Sequence, residues 1–315
     1  MNIQKNNNKT IEWLLDSDDV SIRYRTLTEL LDIPETDKKV SSLKRQISES
    51  KPVKDILDNM HPDGYWLQKK STTGEMIGDA IEYGAFATTH FCLSYLAELG
   101  MTKESPEIAK ACERYLNLQK EDGDYWNHMS CLTGYNIRTF IRLGYKNDFR
   151  IQRSINLLLY TNRFDNGYLC DMHEKRNKKS KSCIRGAVKV LLAFAELPEY
   201  WNHPRVKNLI DYFLKRDAIF KTADKNKIVN EDINRLSYPI IWRANIYEIL
   251  YALSKMGYGK ERRLERAWSH LEARQTNNGK YILDWTPVQC PWKIGKRKLE
   301  NNWVTFYVLL AMKYK

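Results

Sequence analysis

Amphipathic helical segments alternate along the chain with segments that are apolar on almost every side. The segment Ile108 to Gln119 carries apolar residues at i, i+4, i+7 and i+8, the stripe of a helix with one wet face. By contrast, Ala187 to Leu197, Ile246 to Met256 and Trp303 to Met312 lack a continuous polar face. Because such helices must be covered all round, the pattern predicts an inner layer of apolar helices inside an outer layer of amphipathic ones.

This alternation predicts a series of inner and outer helix pairs. In order, they are Asp79 to Leu99 with Pro106 to Gln119, Cys131 to Leu143 with Phe149 to Tyr160, Cys183 to Leu197 with His203 to Arg216, and Trp242 to Met256 with Lys260 to Arg274. The terminal helix, Asn302 to Tyr314, needs a partner, which the N-terminal helix Ile11 to Leu31 would supply by closing a ring. Gly100, Gly144 and Gly257 stand where a helix end favours a positive φ.

A polar turn that contains glycine and an aromatic residue recurs between these helices. Its copies are Asp63 to Trp66, Gln119 to Trp126, Asp165 to Tyr168 and Gln275 to Tyr281. The turn glycines at 64, 123, 167 and 279 lie 59, 44 and 112 residues apart, and the last gap holds a degenerate copy near Asp217. A period of about 40 residues or more is typical of a helical repeat array.

One copy of the turn also carries a resemblance to a known family. Gln119, Gly123 and Trp126 form a Gln-x-x-x-Gly-x-x-Trp pattern behind an aromatic-Leu pair. This pattern resembles the repeat of the squalene-cyclase and protein-prenyltransferase β-subunit superfamily, and from about residue 50 onward the chain is similar to small bacterial prenyltransferase-like members. The resemblance implies an all-α fold, an α/α toroid in which two rings of helices surround an apolar cavity.

The extent of the repeats predicts the domain organisation. They run nearly to the end of the chain, which predicts a single toroid domain over 11–315 behind a polar, disordered end at 1–10. The chain has neither the apolar stretch of a signal peptide nor a run of 18 apolar residues. We therefore expect a cytoplasmic protein without a transmembrane segment; no pattern predicts an oligomeric state.

Cysteines form the first candidate site. Two adjacent inner helices start with the same Cys-x-x-Gly pattern, Cys131-Leu-Thr-Gly and Cys183-Ile-Arg-Gly. The sulfurs of Cys131 and Cys183 are therefore expected at one place on the ring. Cys170 ends the repeat turn between them and forms a Cys-x-x-His pair with His173. Thiolate and imidazole are ligands that Zn²⁺ prefers, so these four residues are candidate ligands of a tetrahedral zinc site.

Alternatives to this zinc site stay open at the level of sequence. His128 or Cys290 would replace His173 as the fourth ligand, or the cysteines pack as small core residues without a metal. The resemblance implies that a metal fits this fold, because protein prenyltransferases carry a catalytic zinc bound by Asp, Cys and His. The present set is richer in cysteine and does not match that motif. Four protein ligands would make the site structural, and three would leave a position for chemistry.

Carboxylates form the second candidate site. Asp16 to Asp19 spells the Asp-x-Asp-Asp motif with which terpene cyclases of the superfamily protonate an alkene, but its place before Val20 favours helix capping. Asp79 and Glu82 follow Glu75 at i+4 and i+7 along one helix face. They would bind Mg²⁺ or act as acid and base in the cavity. Alternatively, they only interact favourably with the positive end of the helix dipole.

One histidine extends this carboxylate site. His90 lies eight residues beyond Glu82 and only approximately shares its face, so it is either a third catalytic candidate or an interior histidine.

Aromatic and basic residues predict how a ligand would be held. The aromatic candidates at or near inner helices are Tyr83, Trp126, Tyr135, Trp242 and Trp303. They suit an isoprenoid chain or a carbocation, or they only fill the space between layers. The net charge of +12 concentrates in two clusters that each precede an inner helix and contain Lys178, Lys179, Lys296 and Lys298. On one rim they would attract a phosphate, a diphosphate or a nucleic acid; otherwise they are solvated loops.

Two functional hypotheses follow from these patterns. The first is an enzyme of prenyltransferase or cyclase type that holds an apolar or diphosphate-bearing small molecule. The second is a non-catalytic, zinc-stabilised helical scaffold that binds nucleic acid or a protein partner through its basic rim. The chain lacks a Gly-rich phosphate loop, His-Glu-x-x-His and Gly-x-Ser-x-Gly, which argues against NTPase, zincin and hydrolase activities.

Overall fold

The computed structural model describes residues 2–70, 73–78, 86–125, 130–170, 177, 179–288 and 290–315, with backbone only for 2–7. The elements in these ranges are almost all helical. The helices are α1 (Asn2–Leu15), α2 (Val20–Arg25), α3 (Lys38–Ser48), α4 (Lys51–Leu57), α5 (Thr89–Leu99), α6 (Pro106–Leu116), α7 (Ser130–Arg142), α8 (Phe149–Tyr160), α9 (Ile184–Ala195), α10 (Pro204–Leu214), α11 (Ile246–Leu253), α12 (Glu265–Glu272) and α13 (Asn302–Lys313). Strands β1 (Gln68–Lys69) and β2 (Met76–Ile77) form a short antiparallel pair.

The helices form two concentric layers, which confirms the all-α toroid. Helices α5, α7, α9, α11 and α13 are buried along nearly their whole length, and each packs against the next in the ring. Helices α6, α8, α10 and α12 each follow an inner helix, pack on it and expose one face. A continuous core fills the space between the layers.

Contacts between the two ends of the chain close the ring. The indole Nε1 of Trp303 in α13 donates to Asp19 Oδ2 at 3.0 Å, and Asn302 donates to the hydroxyl of Ser17 at 2.6 Å. The ammonium of Lys313 donates to the carbonyl of Glu29 at 2.7 Å. The prediction that the N-terminal helix partners the terminal one is therefore confirmed, with α2 and the π-helical turn Thr26–Leu30 in the inner layer.

Helix ends follow local signals more closely than apolar periodicity. The predicted N-terminal helix divides into α1 and α2 because Asp19 caps α2, accepting from the amide of Ser21 at 2.9 Å. Gly100, Gly144 and Gly257 adopt φ of 93°, 94° and 91°, as expected for left-handed helix ends. Outside these ends, α11 begins at Ile246 rather than at Trp242, since the residue before it is extended.

The repeated turn has a structural basis. Gly64, Gly123 and Gly279 adopt φ of 82°, 92° and 77°. A residue with a Cβ atom would be strained in this region of φ. The side-chain amide of Gln119 donates to the carbonyl of Gly123 at 3.3 Å, and Gln275 donates to that of Gly279 at 3.0 Å. The Gln-x-x-x-Gly spacing is therefore a device that closes the turn between an outer and an inner helix.

Two further predictions concern the N-terminal end and membrane-spanning helices. Helix α1 begins at Asn2, so helical backbone covers residues that the sequence predicts as a loose end; the division into domains stays a prediction. None of the helices in the described ranges combines the length and apolar character that crossing a bilayer requires.

Candidate functional site

A buried network of charged side chains fills one end of the ring. Arg25 donates to Glu98 at 2.9 Å and to Glu29 at 2.6 Å. Arg138 also pairs with Glu98, and the hydroxyl of Tyr307 donates to the same carboxylate. Arg25 and Glu98 lie in the last turns of α2 and α5, Arg138 lies one turn before the end of α7, and Glu29 lies in the π-helical turn after α2. The C-terminal parts of these inner helices therefore meet here, beside Tyr307 in the middle of α13.

The network continues around the ring and sets the charge state of its members. Glu196, at the end of α9, accepts from Lys255 at 2.6 Å and from Tyr251 at 3.2 Å. Burial alone would raise the pKa of Glu98, but the neighbouring guanidinium groups, led by that of Arg138, hold this pKa at about 2. An ionised network therefore occupies the C-terminal end of the ring.

A buried amine–carboxylate pair lies between the network and the N-terminal end. Lys189 of α9 donates to Glu248 of α11, and both side chains are buried. Burial lowers the pKa of Lys189 and raises the pKa of Glu248. Asn245 donates to the other oxygen of Glu248 at 2.6 Å. The pair is a candidate for proton exchange inside the ring that sequence reasoning missed, because its members lie 59 residues apart.

At the N-terminal end, two cysteines meet. The thiol of Cys170 is hydrogen-bonded to the side chain of Cys131 and accepts from the backbone amides of Ser130 and Cys131 in the first turn of α7. These hydrogen bonds, led by that of the Cys131 side chain, outweigh burial and lower the pKa of Cys170 to about 7. The structure thus brings together two of the thiols that the sequence predicts at one place.

Cys183 directly precedes α9, the inner helix that packs against α7. A Cβ atom at Gly186 would be 3.7 Å from the amide nitrogen of Cys131 and 3.8 Å from the Cβ of Cys183. Among the described residues, no group of three or more His, Cys, Asp or Glu side chains is arranged to hold a metal ion. His173 and His128 lie outside the described residues. The zinc site therefore stays a prediction.

Cys290 lies elsewhere, near Cys92. Burial raises the pKa of both thiols, and that of Cys290 rises to about 12. The structure therefore gives no sign that Cys290 joins the other cysteines as a metal ligand.

The carboxylate candidates are only partly described. Asp79 and Glu82 lie outside the described residues, as does the aromatic candidate Tyr83. His90 is buried in α5, with its Nδ1 3.5 Å from the hydroxyl of Thr88 and its ring 4.0 Å from that of Phe91. Their catalytic roles, and the Mg²⁺ that the carboxylates would bind, stay predictions.

A continuous series of aromatic rings runs from the N-terminal rim into the ring of helices. Trp285 contacts Phe86 at 6.0 Å between centroids, Phe86 contacts Phe91 at 5.6 Å, Phe91 contacts Tyr95 at 6.2 Å, and Tyr95 contacts Trp292 at 4.7 Å. We call these five residues the aromatic path. The hydroxyl of Tyr95 and the indole nitrogen of Trp292 are buried. Neither of them has a hydrogen-bond partner among the described residues.

Among the predicted aromatic residues that the structure describes, Tyr135 contacts this path. Tyr135 packs edge-on against Phe91 at 6.0 Å, and Trp303 stacks on Tyr238 at 4.8 Å. Trp242 lies at the rim, and Trp126 lies outside the described residues. The apolar cavity and the roles of these residues in lining it stay predictions, since the contacts show rings packed against one another.

Arginine and tryptophan side chains form a cluster at the same rim. Arg243 forms an ion pair with Asp232 at 2.9 Å, and Arg185 pairs with the other oxygen of this carboxylate. The guanidinium of Arg243 lies 4.9 Å from the ring of Trp242 and 4.3 Å from that of Trp285, and the guanidinium of Arg185 lies 5.0 Å from Trp242. We call these five residues the arginine–tryptophan cluster.

This cluster carries excess positive charge. Arg235 also lies 3.5 Å from Asp232, so three guanidinium groups share one carboxylate. The Nε atoms of Arg185 and Arg243 are buried without a hydrogen-bond partner in the described part of the chain. A neighbouring groove of about 650 Å³ is lined by Glu231, Asn234, Arg235, Arg274, Asp284, Trp285 and Arg297. The sequence patterns predict only one member of the cluster, Trp242, as a candidate site residue.

The lysine clusters that the sequence singled out are exposed. Lys179, Lys296 and Lys298 all lie at the surface in loops that precede α9 and α13, and Lys178 lies outside the described residues. Both loops therefore reach the N-terminal end of the ring. Their part in binding an anion or a nucleic acid stays a prediction.

Comparisons with known proteins give structural matches only. Neither a family model nor a curated protein matches the chain. A type II terpene cyclase, MstE from Scytonema, in its apo form is 14% identical over 86% of this chain and 98% of that chain, with a TM-score of 0.34. A single-residue variant of MstE in complex with the product merosterolic acid A is 14% identical over 86% and 97%, with a TM-score of 0.34.

A third match has no stated activity. A protein from Actinoplanes is 12% identical over 86% of this chain and 99% of that chain, with a TM-score of 0.37. At this level of similarity the family of the chain is not established, and its function is inferred from its own residues.

Proposed function

We propose that this protein is an enzyme of prenyltransferase or cyclase type whose substrate is an amphiphile with an anionic end. The apolar part of the substrate binds along the aromatic path, and its phosphate or diphosphate binds at the arginine–tryptophan cluster. The observation that carries this proposal is the set of three arginines that share the single carboxylate of Asp232 beside two indole rings.

Charge and hydrogen-bonding capacity support an anion at this cluster. Asp232 neutralises one of its three guanidinium partners, so the local balance of these four groups is positive. Guanidinium groups bind phosphate oxygens through paired N–H donors. The buried Nε–H groups of Arg185 and Arg243 donate no hydrogen bond within the described part of the chain, so both are available to a phosphate. The cluster is thus better suited to a phosphate than the exposed lysines, whose ammonium groups are hydrated.

The connection between the two parts supports a single amphiphilic ligand. Trp285 belongs to both the cluster and the aromatic path, since its ring contacts Arg243 at 4.3 Å and Phe86 at 6.0 Å. Aromatic rings stabilise both an apolar chain and a developing carbocation. An unpaired buried donor costs ~1–3 kcal/mol. The hydroxyl of Tyr95 and the indole of Trp292 have no hydrogen-bond partner among the described residues, so they favour a ligand that brings polar atoms to them.

Binding of matched probes tests this proposal. Farnesyl diphosphate, farnesol and inorganic diphosphate are titrated against the protein, with tryptophan fluorescence as the readout, and extracted products are analysed by mass spectrometry. We expect farnesyl diphosphate to bind more tightly than either other probe. Because a hydrogen bond to a charged group contributes ~1.5–3 kcal/mol, Arg243→Gln should weaken its binding about tenfold or more and leave farnesol unaffected.

A control variant separates the effect of the arginine at the cluster on binding from the effect of the protein's net charge. Arg266→Gln removes an arginine that lies on Phe220 in the outer layer and donates to the carbonyl of Lys225. The proposal is wrong if no isoprenoid binds, or if both variants weaken binding equally. A salt-sensitive gel shift with RNA or DNA in place of isoprenoid binding would favour the scaffold hypothesis instead.

A further inference from the structure

We infer that the groove beside the arginine–tryptophan cluster binds a sugar that is linked to the diphosphate of the ligand. The inference rests on the proposed function, because that proposal puts the diphosphate at the cluster. It narrows the substrate class to an isoprenoid diphosphate that carries a sugar. The observation behind it is a mixed set of hydrogen-bond donors and acceptors in the groove that have no partner among the described residues.

The groove is continuous with the cluster. Trp285 belongs to the cluster and also lines the groove. Arg235 lines the groove and lies 3.5 Å from Asp232, the carboxylate at the centre of the cluster. The groove volume of about 650 Å³ lies within the ~300–1,000 Å³ that is typical of small-molecule pockets. A diphosphate at the cluster would therefore have room beyond it for an attached group.

Two carboxylates make the groove unsuitable for a second phosphate. Glu231 is exposed, and its carboxylate forms no hydrogen bond or ion pair with a described residue. Asp284 Oδ2 accepts from the backbone amide of Leu236 at 2.7 Å and from Arg274 at 2.7 Å. Asp284 Oδ1 accepts no hydrogen bond from the part of the chain that the structure describes. Both carboxylates repel an anion but accept hydrogen bonds from hydroxyl groups.

Hydrogen-bond donors lie in the same groove. Arg297 donates to the carbonyl of Thr286 at 2.8 Å and has no carboxylate partner among the described residues. Asn234 Oδ1 lies 2.7 Å from Nε2 of His270, whereas Asn234 Nδ2 donates no hydrogen bond within the described ranges. A sugar hydroxyl both donates and accepts, so it can satisfy the carboxylates and these donors together. A phosphate or an ammonium group would satisfy only one of the two kinds.

The indole at the groove favours a sugar over a nucleobase. The guanidinium groups of Arg243 and Arg297 lie over the ring of Trp285, at 4.3 Å and 5.9 Å from its centroid. Because these groups already stack on the indole, the groove favours a ligand recognised through hydrogen bonds over a flat ring recognised by stacking.

Three probes that share the farnesyl diphosphate group test the inference. They are farnesyl diphosphate itself, its methyl diester and its glucosyl diester, each titrated against the whole protein by isothermal titration calorimetry. The two diesters carry equal charge, so any difference between them reports the contacts of the sugar. We expect the glucosyl diester to bind about tenfold more tightly than the methyl diester, because hydrogen bonds to charged groups are strong.

The variant Glu231→Ala makes the test specific to the groove. Removing a negative charge near the cluster should leave the binding of farnesyl diphosphate and of the methyl diester unchanged or make it tighter. The same variant should bind the glucosyl diester about tenfold more weakly, because a charged acceptor is lost. Glu104→Ala is the matched control, since it removes an exposed glutamate between α5 and α6, at the opposite end of the ring. It should change the binding of no probe.

The outcomes separate this inference from the proposed function. If farnesyl diphosphate binds but the glucosyl diester binds no more tightly than the methyl diester, the inference is wrong and the proposed function stands. If none of the farnesyl probes binds, both are wrong. A uridinyl diester that binds more tightly than the glucosyl diester would assign the groove to a nucleoside and overturn the inference. Equal weakening of all probes by Glu231→Ala would also overturn it.

Discussion

At the scale of single residues, Glu98 is a buried carboxylate whose charge depends on partners from several helices. It lies fully buried in α5 and accepts from Arg25, Arg138 and Tyr307, which belong to three other inner helices. A buried charge of this kind is tolerated because its partners satisfy its oxygens, and its net contribution depends on all of them. The residue therefore specifies how four inner helices come together at the C-terminal end.

Removing that charge should destabilise the protein strongly. Glu98→Gln removes the nearest carboxylate of the buried Arg138, whereas Arg25 keeps Glu29. Breaking a buried ion pair in this way costs ~3–5 kcal/mol in the free energy of unfolding. Urea unfolding followed by circular dichroism measures this loss. Glu121→Gln, an exposed change in a repeat turn, is the control and should alter stability by less than ~0.5 kcal/mol. Equal stability of the two variants would show that the network is dispensable.

At the scale of elements, the glycines of the repeated Cys-x-x-Gly sequence serve helix packing. A Cβ atom at Gly134 would lie 2.6 Å from the backbone of Lys189, so α7 and α9 approach too closely for any side chain at this position. At the equivalent Gly186, a Cβ atom would meet the hydroxyl of Ser130 at 2.9 Å. The two equivalent glycines therefore differ in their surroundings: Gly134 faces backbone atoms and Gly186 faces a side-chain hydroxyl.

This difference predicts unequal effects of the same substitution. Gly134→Ala forces backbone against backbone and should destabilise by ~1–3 kcal/mol, a typical cost of overpacking. Gly186→Ala meets a side-chain hydroxyl that can rotate away, so its effect should be smaller. Thermal unfolding of both variants checks the order, and a larger loss in Gly186→Ala would contradict the packing described for α7 and α9.

At the scale of the whole molecule, the ring combines an ionised end with an end that carries thiols, arginines and aromatic rings. The ionic end depends on pH, because the pKa of Glu98 is about 2 in the folded protein against an ordinary value of 4.5. A carboxyl with a lowered folded pKa contributes stability that is present above its unfolded pKa and lost as the pH falls toward its folded pKa.

Acid unfolding should therefore begin in a defined range. We expect the contribution of Glu98 to the free energy of unfolding to be present above pH 4.5 and to decrease between pH 4.5 and about 2. Urea unfolding at a series of pH values measures this slope. Glu98→Gln should flatten it, and a slope that is identical in both proteins would assign acid sensitivity to other groups.

The candidate site divides into a part that the sequence predicts and a part that it does not. Cys131 and Cys170 interact, as the sequence predicts for thiols expected at one place, although they stand at non-equivalent positions of their repeats. The arginine–tryptophan cluster escaped prediction, since Asp232 and Arg185 are 47 residues apart and carry no shared motif. Repetition along a chain predicts contacts between equivalent positions, whereas this cluster joins non-equivalent ones.

The sequence by itself determined the two layers of helices, the turns between them and the closure of the ring, because hydrophobic periodicity and glycine conformation act locally. Only the tertiary structure decided what occupies the interior. The charges of Arg25, Glu98 and Arg138 are separated by 73 and 40 residues along the chain, and each is acceptable in the core only because the fold supplies its partners. Such compensation depends on distances in space, which no pattern along the chain encodes.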